Sequence, residues 1–130
     1  MYSSVIRDYG DESSFEIDET LPLPELKSNQ VLVKISASSV NPIDLMKREG
    51  YGRSIFEKQR RNNFPWILGS DFSGHVVSVG QKVTRFKEGD EVWGCTSKAS
   101  SGTYAEYAAI DQEEVNIKPK NLTFEEAASL

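Results

Sequence analysis

Leu68-Gly69-Ser70-Asp71-Phe72-Ser73-Gly74-His75-Val76-Val77-Ser78-Val79-Gly80, closed by Phe86-Lys87-Glu88-Gly89-Asp90-Glu91-Val92-Trp93-Gly94, decides the fold of this chain. Its glycines punctuate short apolar runs, and glycine serves where a backbone turns tightly or passes close to another backbone. A polar pair, Ser70-Asp71, stands at the start of one strand, and Gly89-Asp90 marks a turn into Val92 and Trp93. The pattern predicts a compact antiparallel meander or barrel.

Upstream, Gln30 to Val40 gives the clearest strand: Val31, Val33 and Ile35 alternate with Leu32, Lys34 and Ser36. Met1 to Tyr9 and Phe15 to Thr20 read as two short strands around a polar turn, after which Pro22 and Pro24 break regular structure. Asn41-Pro42 then opens a helix, with Asn as cap and Pro in the first turn. Asp44 falls in that turn, Lys47 and Arg48 suit the other end of the helix dipole, and Gly50 stops it. Residues 51–64 form a polar loop rich in Lys, Arg and Asn. Downstream, Gly102 to Ile110 and Val115 to Lys118 look like strands, so Tyr104 and Tyr107 should face opposite sides. Asn121 or Thr123 caps a final helix that carries Glu125 and Glu126 near its start. Strands outnumber helices, and the expected fold is mainly β with short helices, in a barrel-like arrangement.

With 130 residues the chain fits one domain. Its 38% hydrophobic and 27% charged content is that of an ordinary globular protein. A formal net charge of -5 argues against nucleic acid as a main partner, because neutralising phosphates needs clustered Lys and Arg. One Cys (Cys95) and one His (His75) exclude an intramolecular disulfide and a Cys/His zinc cluster. Cys95 reads as a small strand residue, and His75 as a structural or exposed histidine. No apolar run approaches a membrane span, so a transmembrane protein is not expected. The first residues have neither a signal-peptide core nor the Arg-rich, acid-poor character of a transit peptide.

Three ordered segments resemble the catalytic domain of the medium-chain dehydrogenase/reductase superfamily, whose fold is a partly open GroES-like β-barrel. They are Val31 to Ile35 through Asn41-Pro42-Ile43-Asp44; the run from Leu68 to Gly94; and Gly102-Thr103-Tyr104-Ala105-Glu106-Tyr107 with Lys118-Pro119 and Glu126-Ala127-Ala128. Zinc alcohol dehydrogenases of that superfamily place Cys where Asn41 stands and His-Glu where Ser70-Asp71 stands. Asn-Pro-x-Asp is instead the pattern of the zinc-independent quinone oxidoreductase branch. The polar insert from Tyr51 to Phe64 is similar to one in its mitochondrial reticulon-interacting subfamily.

The resemblance implies NADPH-dependent, zinc-independent reduction of a quinone or an activated enone. It assigns Asn41 and Ser70 as donors that polarise the substrate oxygen, and Asp44, Met46, Tyr51 and Asp71 to the substrate and cofactor pocket. Met46 stands where branch members often carry a pocket-lining Tyr, which gives a softer wall. Read from the residues alone, Asn41 is also a helix cap and Asp44 a first-turn dipole and packing residue. Ser70 and Asp71 also read as groups that satisfy the backbone at a strand start.

These residues contain no G-x-G-x-x-G strand-turn-helix unit to seat a diphosphate. In the family resembled, the dinucleotide-binding domain follows the Ala127-Ala128 helix, so the resemblance implies that domain after Leu130 in a longer parent protein, with residues 1–130 forming the GroES-like domain alone. The isolated piece is then expected to bind NADPH weakly and to lack catalysis. The subfamily implies a mitochondrial location, reached with a leader absent from these residues, and allows a homodimer of the full-length protein. Without it, a cytoplasmic protein is expected. A competing reading makes the chain a non-enzymatic GroES-like module that docks a protein partner through the insert at 51–64.

Overall fold

The computed structural model describes residues 1–50, 64–96 and 102–130. Its order is β1 (Ser3–Ile6), β2 (Phe15–Asp18), β3 (Gln30–Ser39), α1 (Pro42–Glu49), β4 (Trp66–Ile67), β5 (Asp71–Val79), β6 (Glu91–Cys95), β7 (Tyr107–Asp111), β8 (Val115–Ile117) and α2 (Phe124–Ala128). Short 3-10 turns precede β2 and β8. The strands form an antiparallel three-stranded sheet, β2-β1-β4, and an antiparallel five-stranded sheet, β7-β3-β5-β6-β8. The two sheets are not closed into one, as in a partly open GroES-like barrel, and the mainly β expectation is met.

The alternation read along Gln30 to Val40 is the core pattern. Val31 and Val33 are fully buried, Ile35 packs beside them, and Lys34 and Ser36 are exposed. They meet Phe72, Val76, Val92, Ala108 and Ile110 in one cluster. Facing β5, β3 shifts register between Leu32 and Val33, and again between Ile35 and Ala37. The second bulge leaves Ser36 unpaired and sets Ser39 opposite Asp71. Gly74 of β5 lies close against the β3 backbone. A Cβ there would sit 2.0 Å from the Lys34 carbonyl oxygen, so only glycine fits.

α1 begins after Asn41 and ends at Gly50, as its caps predict. Its last turn is tied down by Arg48, whose Nε donates to the Gly10 carbonyl at 3.1 Å while the Gly10 N–H donates to the Arg48 carbonyl at 2.9 Å. α2 is capped by Thr123, which exchanges hydrogen bonds with Glu126, so of the two cap candidates Thr123 holds the position. Ser73 Oγ of β5 donates to the Phe124 carbonyl at 2.6 Å, and Ala127 and Ala128 are buried against the large sheet. His75 is exposed, its ring 4.9 Å from that of Phe124.

One expected strand is shorter than its sequence suggested. The run from Gly102 to Ile110 becomes regular only at Tyr107. Before it, the Thr103 and Tyr104 N–H groups donate to the carbonyls of Gly69 and Leu68, and Ala105 makes a single bridge to Ser3. These bonds hold Thr103 and Tyr104 against the approach to β5, and only at Glu106, whose carbonyl accepts the Ile35 N–H at 2.7 Å, does the segment reach the large sheet. The expectation that Tyr104 and Tyr107 share one strand is therefore corrected.

Candidate functional site

The register of β3 and β5 brings Asn41 and Asp71, two of the expected site residues, to one end of the large sheet. Ser39 and Asp71 are paired, and Asn41 follows two residues after Ser39 at the N-cap of α1. Asn41 Nδ2 donates to Asp71 Oδ2 at 2.7 Å, and Ser39 Oγ donates to the same oxygen at 2.7 Å. A carboxylate accepts only, so the Asn41 amide must present its nitrogen to Asp71. Its carbonyl end and second N–H are then set in direction.

Asp44, in the first turn of α1, is fully buried. Its Oδ2 accepts the Asn41 backbone N–H at 3.0 Å, which closes a capping box. The same oxygen accepts the Tyr104 hydroxyl at 2.8 Å, while Oδ1 has no hydrogen-bond partner. Burial, then the Asp44 hydrogen bond and charge, raise the pKa of Tyr104 and keep its phenol protonated.

Tyr104 enters this cluster through its fixed place in the fold. A Cβ on Gly69, whose φ is +100°, would lie 2.6 Å from Tyr104 Cδ1, so the ring packs directly on a backbone that needs glycine. Tyr104 is not among the site residues expected from the sequence, because the pattern from Gly102 to Ile110 reads as a strand. The signal available was its place in Gly102-Thr103-Tyr104-Ala105-Glu106-Tyr107, a segment already singled out.

Ser70 is buried just before Asp71, and its carbonyl accepts the Thr96 N–H at 2.8 Å. Met46 is 37% exposed on α1. Beside the cluster, Ser4, Phe15, Val40, Asp44, Leu45 and Tyr104 line a mostly apolar cavity of about 380 Å³. Tyr51 and the rest of the insert to residue 63 lie outside the described residues, as do residues 97–101 of the loop after Cys95. Partial burial and the neighbouring Asp71 push the Cys95 thiol up to about 11. Burial lowers the pKa of Lys47, and the charges of Asp44 and Cys95 oppose that shift. Among the described residues no group of three or more His, Cys, Asp or Glu could hold a metal ion, and no helix is long and apolar enough to cross a membrane.

A family model of the alcohol dehydrogenase GroES-like domain matches residues 27–120. The chain belongs to that family. This GroES-like domain is 37% identical over 131 residues to the mitochondrial NAD(P)H oxidoreductase RTN4IP1 of Dictyostelium discoideum, across 100% of this chain and 37% of that protein. It is 35% identical over 136 residues to the chloroplastic NADPH-dependent alkenal/one oxidoreductase of Arabidopsis thaliana, across 100% of this chain and 34% of that protein. The chain thus spans roughly a third of the length of these curated relatives. Among solved structures it superposes on the quinone oxidoreductase of Coxiella burnetii with a TM-score of 0.89 at 36% identity, covering 100% of this chain and 40% of that one. The GroES-like domain therefore has the fold, and just over a third of the residues, of the corresponding part of these oxidoreductases.

Proposed function

We propose that this chain is the substrate-side domain of a zinc-independent, NADPH-dependent oxidoreductase that reduces quinones or activated enones. The observation that carries the reading is the hydrogen bond from Asn41 Nδ2 to Asp71 Oδ2. It commits one N–H of the amide to the protein and holds the second in a set direction, ready for a substrate oxygen. A donor held in place before reaction stabilises developing negative charge without reorganisation. Ser70, one residue before Asp71, is proposed as a second donor.

Reduced nicotinamide, when bound, supplies the hydride. The residues here suit the neutral reactive end of that cofactor rather than its diphosphate, because Asp44 and Asp71 would repel phosphate. Asn41 and Ser70 would hold the oxygen on which charge gathers as the enone β-carbon or the quinone accepts hydride, and water would return the proton. Met46 and Tyr51 are proposed as pocket walls.

Zinc independence is supported by donor chemistry. A zinc site needs thiolate, imidazole or carboxylate ligands in tetrahedral number. Positions 41 and 70 carry a neutral amide and a hydroxyl, and the Asp71 oxygen nearest them is already shared by Asn41 and Ser39. A mitochondrial location is proposed from the RTN4IP1 likeness.

The test uses the full-length protein that carries this chain, assayed with NADPH against a quinone and an enone. Asn41→Ala should lower kcat by about a hundredfold, the loss expected for one oxyanion donor, with the fold intact. Dialysis against a chelator should leave turnover unchanged. Full activity in Asn41→Ala would remove the polarising role, and activity lost to the chelator and restored by zinc would remove the metal-free reading.

A further inference from the structure

We infer that Tyr104 is a positioning residue for Asn41, acting through the Asp44 carboxylate; this rests on the functional reading above. Three links make the connection. The Tyr104 hydroxyl donates to Asp44 Oδ2, that oxygen accepts the Asn41 backbone N–H, and the Asn41 amide then reaches Asp71. Asp44 is fully buried and its Oδ1 lacks a partner, so the carboxylate is held through one oxygen by two donors. Removing either donor leaves a buried carboxylate on a single hydrogen bond, which strongly favours rearrangement.

The two donors belong to different parts of the fold. Asn41 starts a helix, whereas Tyr104 is anchored in the β framework. Its N–H donates to the Leu68 carbonyl at 3.0 Å, its carbonyl accepts the Ser4 N–H at 2.8 Å, and its ring lies on Gly69. Asp44 therefore transmits the position of the framework to the start of α1. The ring alone supplies the packing against Gly69 and Phe15, so a phenylalanine would fill the same volume. The hydroxyl is separable from packing. It also lies 3.3 Å from the Ser39 carbonyl, but its shorter bond, 2.8 Å to Asp44, is the one that holds the Asp44–Asn41 link. Reacting groups must be held to within a fraction of an ångström, and a misplacement of about 1 Å can cost a hundredfold in rate.

The test is a cycle of Tyr104→Phe, Asn41→Ala and the double variant in the full-length protein, with NADPH and a quinone. Tyr104→Phe should lower kcat about ten- to a hundredfold with KM nearly unchanged. In the Asn41→Ala background the same change should cost less than about twofold, since its effect passes through Asn41. A second readout needs no turnover: amide exchange at Asn41, followed by NMR or mass spectrometry, should speed up in Tyr104→Phe while amides of β3 and β5 keep their protection. Multiplying losses would overturn the proposal by giving Tyr104 a separate or merely structural role, as would an unchanged Asn41 amide. If Asn41→Ala leaves turnover intact, the functional reading fails instead, and amide exchange still decides whether Tyr104 holds Asn41.

Discussion

Asn41 and Asp71, 30 residues apart in sequence, are joined by a 2.7 Å hydrogen bond from amide nitrogen to carboxylate oxygen. The bond ties the residue that opens α1 to the residue that opens β5. Asp71→Ala would strip the acceptor from both Asn41 and Ser39 in a half-buried setting. The expected loss of stability is about 1–3 kcal/mol, read by chemical denaturation. Asp71→Asn retains one acceptor oxygen and should lose less. Equal stability of Asp71→Ala and the parent would show that the bond contributes nothing net.

Gly74 gives the sharpest packing prediction. The atom that an alanine side chain would meet, the Lys34 carbonyl oxygen 2.0 Å away, belongs to the backbone of β3, which is paired on both edges, and cannot swing aside. Gly74→Ala must spread β3 from β5 across the buried cluster, and a loss above about 3 kcal/mol is expected, at the severe end for single substitutions. A cooperative melt within a few degrees of the parent would show that the sheet absorbs the methyl group.

Lys118 and Glu91 separate hydrogen bonding from ion pairing. Lys118 is buried, its Nζ donates to the Leu122 carbonyl at 2.6 Å, and it lies 5.1 Å from the centre of the Phe124 ring. Its carboxylate neighbour Glu91 is exposed and 3.6 Å away. Glu91→Gln should cost less than about 1 kcal/mol, as half-solvated pairs do. Lys118→Met should cost more, about 1–3 kcal/mol, because it leaves the carbonyl contact unmade. The order of the two melting temperatures checks which contribution dominates.

Cys95 supplies a pH test. Partial burial first, then Asp71, push its thiol up to about 11, so it is protonated and unreactive at neutral pH despite its exposure. Alkylation should be slow at pH 7 and rise to a midpoint near 11. Asp71→Asn should move that midpoint down, since the negative charge that disfavours the thiolate is removed. A midpoint at the ordinary thiol value in the parent would contradict the proximity of Asp71.

Much of the fold was legible locally. The alternation of β3, the Asn41-Pro42 start and Gly50 stop of α1, and the Thr123 cap are set by residues within a few positions of one another. Ser70-Asp71 was readable as a polar pair at a strand start, and β5 does begin at Asp71. The strand expected from Gly102 was misread because apolar and aromatic residues there satisfy strand pattern while their backbone bonds go to Leu68 and Gly69. Tyr104 was overlooked for the same reason.

The sequence by itself determined which residues alternate into the core, where the helices begin, and that no Cys/His zinc cluster can form, since these follow from local periodicity, capping chemistry and residue inventory. Only the tertiary structure decided that Asn41 faces Asp71 and that Tyr104 reaches Asp44, pairs 30 and 60 residues apart. Those contacts depend on strand register, which the bulge at Ser36 shifts by a residue, and on the close approach of Tyr104 to Gly69. Register follows from how the apolar faces of paired strands bury together, so it depends on residues far apart in the chain.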